Sequence, residues 1–212
     1  MKKIISVAFC LLIASLSLSS CGREKAEGAA GRQAEERTGK VLVAFFSYGG
    51  NTRMLAETAA RYTGGDLFRI ETEKSYSEDY DTCLEETARE MEENARPALA
   101  SHVENMEAYD VVLLGYPIWW GSMPMAVNTF LEEYDFEGKI IAPFCTHGGS
   151  GLGSSEQDLK KLCPDAETFE GLAVYGSRAD QAGRRWQTGW KDWVCMGRIR
   201  TEKRKYRIRG IK

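Results

Sequence analysis

Short apolar runs alternate with segments of helical spacing through the middle of the chain. The runs predict strands near Lys40–Phe46, Asp66–Glu71, Tyr109–Gly115, Lys139–Cys145 and Phe169–Tyr175. The helical spacing predicts helices near Asn51–Tyr62, Tyr80–Ala95, Pro124–Tyr134 and Ser154–Leu162. Strands that alternate with helices favour a parallel sheet with helices on both faces. The pattern therefore predicts an α/β domain built on a doubly wound sheet.

The first predicted strand runs directly into a loop of small and hydroxyl residues, Ser47-Tyr48-Gly49-Gly50-Asn51-Thr52. A helix that starts behind a glycine loop presents backbone N–H groups and partial positive charge to an anion. The loop has neither the Lys of a Walker loop nor the spaced glycines of a dinucleotide-binding loop. It favours a site for a phosphate monoester, such as that of a mononucleotide. An ordinary capped strand-to-helix turn is the alternative.

Two further strands end in loops of different composition. Tyr116-Pro117-Ile118-Trp119-Trp120 follows the third strand, and its paired tryptophans could form a wall for a flat aromatic ligand or pack in the core. Thr146-His147-Gly148-Gly149 follows the fourth strand and opens a run with four glycines between Gly148 and Gly153. Such a run offers free backbone groups to the edge of a heterocycle, or it is a flexible connector. Because its position matches that of the other two loops, we favour the binding role.

These three loops, in this order and at compatible spacing, resemble the flavodoxin family, and in particular its bacterial lipoprotein branch. The resemblance covers residues 40–178. It implies a five-stranded parallel sheet of order 2-1-3-4-5 in a three-layer sandwich, with the ligand crevice at the carboxyl ends of the strands. It also implies FMN as the cofactor. Ser47, Gly50, Asn51 and Thr52 would hold the phosphate, residues 116–120 would flank the flavin, and residues 146–149 would line its other side.

Gly49 departs from the family pattern, which usually has Ser or Thr at this position. The change removes a hydroxyl donor and should weaken FMN binding without abolishing it, because one hydrogen bond contributes about 1 kcal/mol or somewhat more to a charged acceptor. Of the two tryptophans, Trp119 is expected to lie against the flavin face.

The resemblance implies electron transfer to redox partner proteins or small-molecule acceptors, with no catalytic acid or base. One alternative is an NAD(P)H-dependent FMN reductase of the quinone or nitro-compound type, in which His147 could help to protonate a substrate. Another is a flavodoxin-fold module that has lost its flavin. The chain has only 2 His residues and no C-x-x-C pair, so metal catalysis is not expected.

The N-terminus has the features of an export leader. Lys2 and Lys3 precede an apolar run, Ile4–Leu18, that is too short and too rich in Ser for a comfortable membrane span. The run leads to Cys21 through small residues, which resembles a bacterial lipoprotein box, and a plain secretory signal is the alternative. We therefore expect a signal peptide at residues 1–20, lipidation at Cys21, a flexible tether at residues 21–39, and a location in the bacterial cell envelope on the periplasmic side or the outer membrane.

Charge divides the remaining chain into an acidic body and a basic tail. Gly22 to Gln181 contains 15 Lys and Arg against 29 Asp and Glu, whereas Ala182 to Lys212 contains 11 against 2. The acidic body, with its domain at residues 40–181, suits docking to basic redox partners. Residues 182–212 lack the apolar spacing of the last helix that such a fold needs.

Two hypotheses account for this tail. It could be an extension that binds anionic lipid rather than nucleic acid, or the product of a frameshift that disrupted the last helix. The second is favoured because residues 184–197, back-translated with common codons and read two bases later, give a peptide with amphipathic spacing. A Cys83–Cys163 disulfide is possible in an oxidising compartment, but the sequence leaves it open.

Overall fold

The computed structural model describes residues 39–181, and the leader, Cys21, the tether up to residue 38 and the basic tail lie outside the described residues. The strands are β1 Lys40–Phe45, β2 Asp66–Arg69, β3 Tyr109–Pro117, β4 Ile140–His147, β5 Glu167–Thr168 and β6 Leu172–Tyr175. The helices are α1 Asn51–Thr63, α2 Tyr80–Glu92, α3 Met125–Glu133 and α4 Ser155–Leu162. Short 3₁₀ turns occupy Met106–Ala108 and Gly176–Arg178. All four predicted helices are present, with ends that differ by at most three residues.

The sheet has the order β2-β1-β3-β4-β5, and every pair of neighbouring strands is parallel. This confirms the predicted doubly wound topology. Along the sheet the strands carry alternating side chains into two separate cores, as parallel strands covered on both faces must. Helix α1 packs on one face, against Val43 and Phe45, and helices α3 and α4 pack on the other, against Leu42 and Ala44.

The fifth strand, predicted near Phe169–Tyr175, is divided into two segments: β6 lies within the predicted range and β5 precedes it. Both segments pair with β4, but the register advances by one extra residue between Thr168 and Leu172. Phe169 donates its N–H to the carbonyl of Ile141 (3.0 Å), so Ile141 faces this edge and Pro143, two residues on, faces it too. Proline has no N–H to donate, and the ladder breaks where it sits. The N–H of Gly171, in the gap, donates to Glu156 Oε1 instead (2.6 Å).

Three cysteines lie in the described part of the chain, and all three are buried free thiols: Cys83, Cys145 and Cys163. The disulfide that the sequence left open between Cys83 and Cys163 is therefore not formed. Cys145 is completely buried, as expected of a core residue, and burial raises its pKa to about 12. Among residues 39–181, no helix is both long and apolar enough to cross a membrane.

Phe130 on α3 should be a major contributor to stability. Its side chain is 0% exposed, and its ring lies against those of Phe68, Tyr134 and Phe136. We expect Phe130→Ala to lower the free energy of unfolding by about 3–5 kcal/mol, because it removes a large apolar side chain and leaves a cavity. Urea denaturation measures the change. Tyr80→Ala is the matched control, since Tyr80 is 67% exposed and its loss should change stability by less than about 0.5 kcal/mol. Equal losses in both variants would contradict this description of the core.

Candidate functional site

The loop between β1 and α1 leaves part of the N-terminus of α1 uncapped. Gly50 occupies the N-cap with φ 87°, a left-handed conformation that favours glycine, and it has no side chain that could cap the helix. Ser47 Oγ accepts the N–H of Arg53 (3.2 Å) and fastens the loop to the first turn. Within residues 39–181, no group accepts the N–H of Asn51 or Thr52. These two donors and the partial positive charge of the helix end can receive an anion.

Open space lies in front of this loop. A Cβ placed on Gly49 or on Gly50 would meet no atom within 4 Å. The first turn of α1 contains no acidic residue that would repel an anion. Arg53 pairs with Glu57 (2.7 Å) along the helix surface, so its charge is directed along α1. The loop therefore has the donors and the room that a phosphate group needs.

A buried pair of hydroxyls joins the first loop to the third. Thr52 Oγ1 and Thr146 Oγ1 are 2.8 Å apart, and both side chains are almost fully buried. Thr52 is one of the residues predicted to hold the phosphate, and its side-chain hydroxyl lies against that of Thr146. The contact fixes the start of α1 against the end of β4.

The tryptophan loop is a tight hairpin. Trp119 and Ser122 exchange two backbone hydrogen bonds of 2.9 Å each. The two residues between them, Trp120 and Gly121, have φ of 51° and 82°, as in a type I′ turn. A positive φ is unusual for a bulky side chain. In this turn the indole of Trp120 is 54% exposed, and its Nε1 donates to Thr87 Oγ1 on α2 (3.1 Å).

Trp119 is held in a cluster of aromatic rings. Its ring packs edge-to-face against Phe46 (centroids 5.2 Å apart), Tyr76 (5.5 Å) and Tyr48 (5.9 Å). Tyr48 belongs to the first loop, and its hydroxyl donates to the carbonyl of Ser77 (2.6 Å). The first and second loops therefore meet through aromatic contacts, and Trp119 is locked by its neighbours. Which indole faces a ligand stays a prediction.

The residues at the start of the second loop differ in burial and in the hydrogen bonds that they form. The side chain of Tyr116 is fully buried, with its hydroxyl 3.1 Å from Ser155 Oγ, so only its backbone is near the loop edge. Pro117 ends β3 and is half-buried. Ile118 donates its N–H to the carbonyl of Thr146 (2.8 Å), and this bond joins the second loop to the third.

The glycine loop is arranged around His147. The side chain of His147 is buried, and its ring lies 4.5 Å from that of Tyr175 on β6. His147 Nδ1 accepts the N–H groups of Gly149 (3.0 Å) and Gly151 (3.2 Å). Gly148 and Gly149 are exposed, and a Cβ on either would meet no atom within 4 Å. The loop therefore presents open backbone on its outer side, while His147 holds it from within.

Asp158 on α4 anchors the tryptophan hairpin, and the sequence did not predict this role. Asp158 Oδ2 accepts hydrogen bonds from Ser122 Oγ (2.7 Å) and Ser154 Oγ (2.8 Å), and Oδ1 accepts one from Lys161 (3.0 Å). Ser154 also donates its N–H to the carbonyl of Gly121 (2.8 Å). The one-turn spacing of Ser154 and Asp158 is visible in the sequence. Ser122 is 36 residues from Asp158, and only the fold brings it there.

A glycine is required where the hairpin meets the third loop. Gly153 has φ 56°, and a Cβ at this position would collide with the carbonyl oxygen of Gly121. Together, the three loops enclose one edge of the sheet, with a helix end that has free N–H donors, an aromatic side and an open glycine backbone. This arrangement suits a ligand that has a phosphate at one end and a flat ring at the other.

A family model described as "Flavodoxin" matches residues 40–189. The chain belongs to the flavodoxin family. A Bacteroides eggerthii protein described as a flavoprotein is 39% identical, with a TM-score of 0.60, and the match covers 69% of this flavodoxin-family chain and 94% of that protein. A Bacteroides uniformis protein described in the same way is 32% identical with a TM-score of 0.64. The match covers 71% of this chain and 99% of that protein.

Two further proteins share the fold or part of the sequence with this chain. A Lactobacillus acidophilus flavoprotein whose crystal structure contains FMN has a TM-score of 0.57 at 20% identity over 68% of this chain and 97% of its own, which shows a common fold. Flavodoxin 1 of Escherichia coli K12 is 36% identical over 76 residues, or 34% of this chain. The match spans 40% of the length of that curated relative.

The Asp158 network should make stability depend on pH. Burial raises the pKa of Asp158, but hydrogen bonds from Ser122, Lys161 and Ser154 outweigh it, and the pKa is lowered overall. A carboxylate with a lowered pKa stabilises the fold above its unfolded pKa, and the contribution is lost as the pH falls through the folded pKa. We expect Asp158→Asn to lower the free energy of unfolding by about 1–3 kcal/mol at neutral pH, because charged hydrogen bonds are lost.

The difference between wild type and Asp158→Asn should shrink as the pH is lowered below about 4, where an unfolded aspartate takes up its proton. Urea denaturation from about pH 7 to about pH 3 measures it. Asp165→Asn, at an exposed aspartate outside the network, is the control and should have little effect. A difference that stays constant over the whole range would rule out an ionised Asp158 as the anchor.

Proposed function

We propose that this flavodoxin-family protein binds FMN, carries electrons, and is tethered to a bacterial membrane through Cys21. The observation that carries the proposal is the uncapped start of α1 at Gly50, which lies between the aromatic hairpin and the glycine loop. Family membership supports FMN as the cofactor. The fold is shared with the FMN-containing Lactobacillus acidophilus flavoprotein, which supports it further.

The residues present fit the phosphate end of FMN. The N–H groups of Asn51 and Thr52, the hydroxyl of Ser47 and the Asn51 side chain are the donors of the first loop. Gly49 brings no hydroxyl of its own, but it leaves the space in front of the loop open. Backbone donors and a helix end bind a dianion without a lysine. The first loop would thus supply most of the affinity for the phosphate.

The other two loops fit the flat ring. Trp119 and Trp120 would lie on one side, and the backbone of residues 146–149 on the other. FMN supplies the redox chemistry when it is bound, and the protein binds it, orients it and excludes water. Because Trp119 and the glycine loop are already held by neighbouring groups, little ordering is needed on binding, which favours affinity. The arrangement requires no side chain as a proton donor or acceptor.

Electron transfer between proteins is supported by the charge of the body. The 29 acidic residues between Gly22 and Gln181 outnumber the 15 basic ones and would steer a basic redox partner toward the domain.

Reduction of the bound flavin by NADPH alone separates the role of an electron carrier from that of a reductase. A carrier is reduced slowly under these conditions, whereas fast reduction in stopped-flow measurements would identify an NADPH-dependent reductase and overturn the carrier proposal.

The wild-type protein should bind FMN more tightly than riboflavin, which lacks the phosphate. The donors of the first loop are expected to contribute about 1.5–3 kcal/mol, equivalent to about 10- to 150-fold in Kd. Gly50→Ala should narrow this difference, because an alanine strains the left-handed N-cap and displaces the donors. Fluorescence titration of the apoprotein with each flavin measures both constants.

Gly39→Ala is the matched control for this comparison, because a Cβ there also meets no atom within 4 Å and the position is outside the loops. It should leave the preference for FMN unchanged. Equal affinity for FMN and riboflavin in the wild type would mean that the first loop binds no phosphate. No binding of either flavin would end the FMN proposal.

Lipid anchoring should depend on Cys21. We expect Cys21→Ser to move the protein from the membrane fraction to the soluble fraction and to abolish incorporation of labelled palmitate. Cys10→Ser, within the apolar run of the leader, is the matched control and should remain on the membrane. Retention of Cys21→Ser on membranes would point to an uncleaved leader or to the basic tail as the attachment.

A further inference from the structure

We infer that His147 is a positioning residue whose neutral imidazole holds the glycine loop closed, and that protonation of Nδ1 releases this loop and weakens FMN binding. The effect on FMN rests on the function proposed above. The effect on the loop does not, because it follows from contacts within the protein alone.

The hydrogen bonds define the protonation state of the His147 ring. His147 Nδ1 accepts from the N–H of Gly149 at 3.0 Å and from that of Gly151 at 3.2 Å. A nitrogen that accepts carries no proton, so the imidazole is neutral and its proton is on Nε2. Two amide donors from one loop thus converge on a single acceptor at the end of β4.

Protonation of Nδ1 would place three donors against one another. Gly149 and Gly151 would then have to turn their N–H groups away, because an N–H donor forms no hydrogen bond with another donor that faces it. Glycine backbone changes conformation easily, and both residues already have positive φ, 153° and 64°. The loop is therefore able to respond to a single proton. Histidine is the side chain whose charge changes near neutral pH.

The charged and titratable groups around His147 come from several elements. Tyr175 on β6 packs on its ring, and the Arg178 guanidinium lies over the Tyr175 ring at 5.7 Å from the centroid. On β4, the Cys145 thiol donates to the carbonyl of Gly151, which is one of the two residues that donate to His147.

The direction follows from the hydrogen bonds, because Nδ1 accepts the N–H groups of Gly149 and Gly151 only when it carries no proton. The loop is held at higher pH and released at lower pH. The outer side of this loop is the open backbone that would line the flavin. The affinity for FMN should therefore fall as the pH is lowered.

Two substitutions distinguish the role of Nδ1 as an acceptor from the effect of its protonation. His147→Asn keeps an oxygen acceptor close to the position of Nδ1 but cannot be protonated. His147→Leu keeps the bulk of the ring but has no acceptor. His102→Asn is the matched control, because His102 is the other histidine of the chain, is exposed, and pairs with Glu133 far from the loop.

The first measurement is the Kd of FMN for the full chain from about pH 8 to about pH 5. A phosphate monoester itself titrates near pH 6, so the comparison is between variants that bind the same ligand. We expect the wild type and His102→Asn to lose about 5- to 30-fold more affinity at low pH than His147→Asn, the equivalent of two neutral hydrogen bonds. His147→Leu should bind weakly at every pH.

The second measurement uses the apoprotein and requires no flavin. The amide signals of Gly149 and Gly151 and the ring nitrogens of His147 are followed by NMR over the same pH range. We expect the two amides to shift together with the ring in the wild type and to be insensitive to pH in His147→Asn. If His147→Leu fails to fold, the other two proteins still decide the outcome.

The outcomes separate this inference from the proposed function. The role of His147 would be overturned if the two amide signals did not change when the ring is protonated. It would also be overturned if the pH dependence of FMN binding persisted unchanged in His147→Asn. Failure of every variant to bind FMN, with the amides still following the ring in the apoprotein, would overturn the proposed function and leave the loop mechanism in place.

Discussion

The parallel pairing of β1, β3 and β4 is the constraint on which the site depends. Parallel strands must run in the same direction, so their carboxyl ends, and the loops that follow them, emerge at one edge of the sheet. The register places Phe45 beside Gly115 and Pro117 beside Thr146, so each loop starts near the next. Unpaired helix N–H donors, aromatic rings and glycine backbone are thereby collected at one place from three distant parts of the chain.

Close packing within the sheet supports this convergence. A Cβ on Gly115 would collide with the ring of Phe144, so glycine lets β3 and β4 keep their register while a large ring fills the core between them. The helices that cover the two faces are a consequence of the same topology, because each parallel connection requires a crossover. The site therefore stands on strands that are buried on both sides and cannot shift independently.

Contacts between the loops convert this shared edge into a defined shape. Thr52 and Thr146 join the first and third loops, Ile118 joins the second to the third, and Tyr48 packs on Trp119 between the first and second. Asp158 adds a connection to α4 through the hairpin serine. Each loop thus restrains the other two, and His147 restrains the glycine loop from inside. A ligand that enters such a site meets groups that are already oriented, which reduces the entropy lost on binding.

The sequence by itself determined the type and order of the elements, the doubly wound sheet and the family, because these follow from local periodicity and from loops that are contiguous in the chain. It did not determine the division of the fifth strand. That division depends on which side of β4 Pro143 faces, because proline has no N–H to donate to the neighbouring strand. Nor could it show that Trp120 is exposed while Trp119 is locked among rings, since this results from two positive φ angles and from side chains on other elements. Thr52 meets Thr146 across 94 residues, and Ser122 meets Asp158 across 36. Such partners leave no local pattern, and only the packing of the sheet and helices decides them.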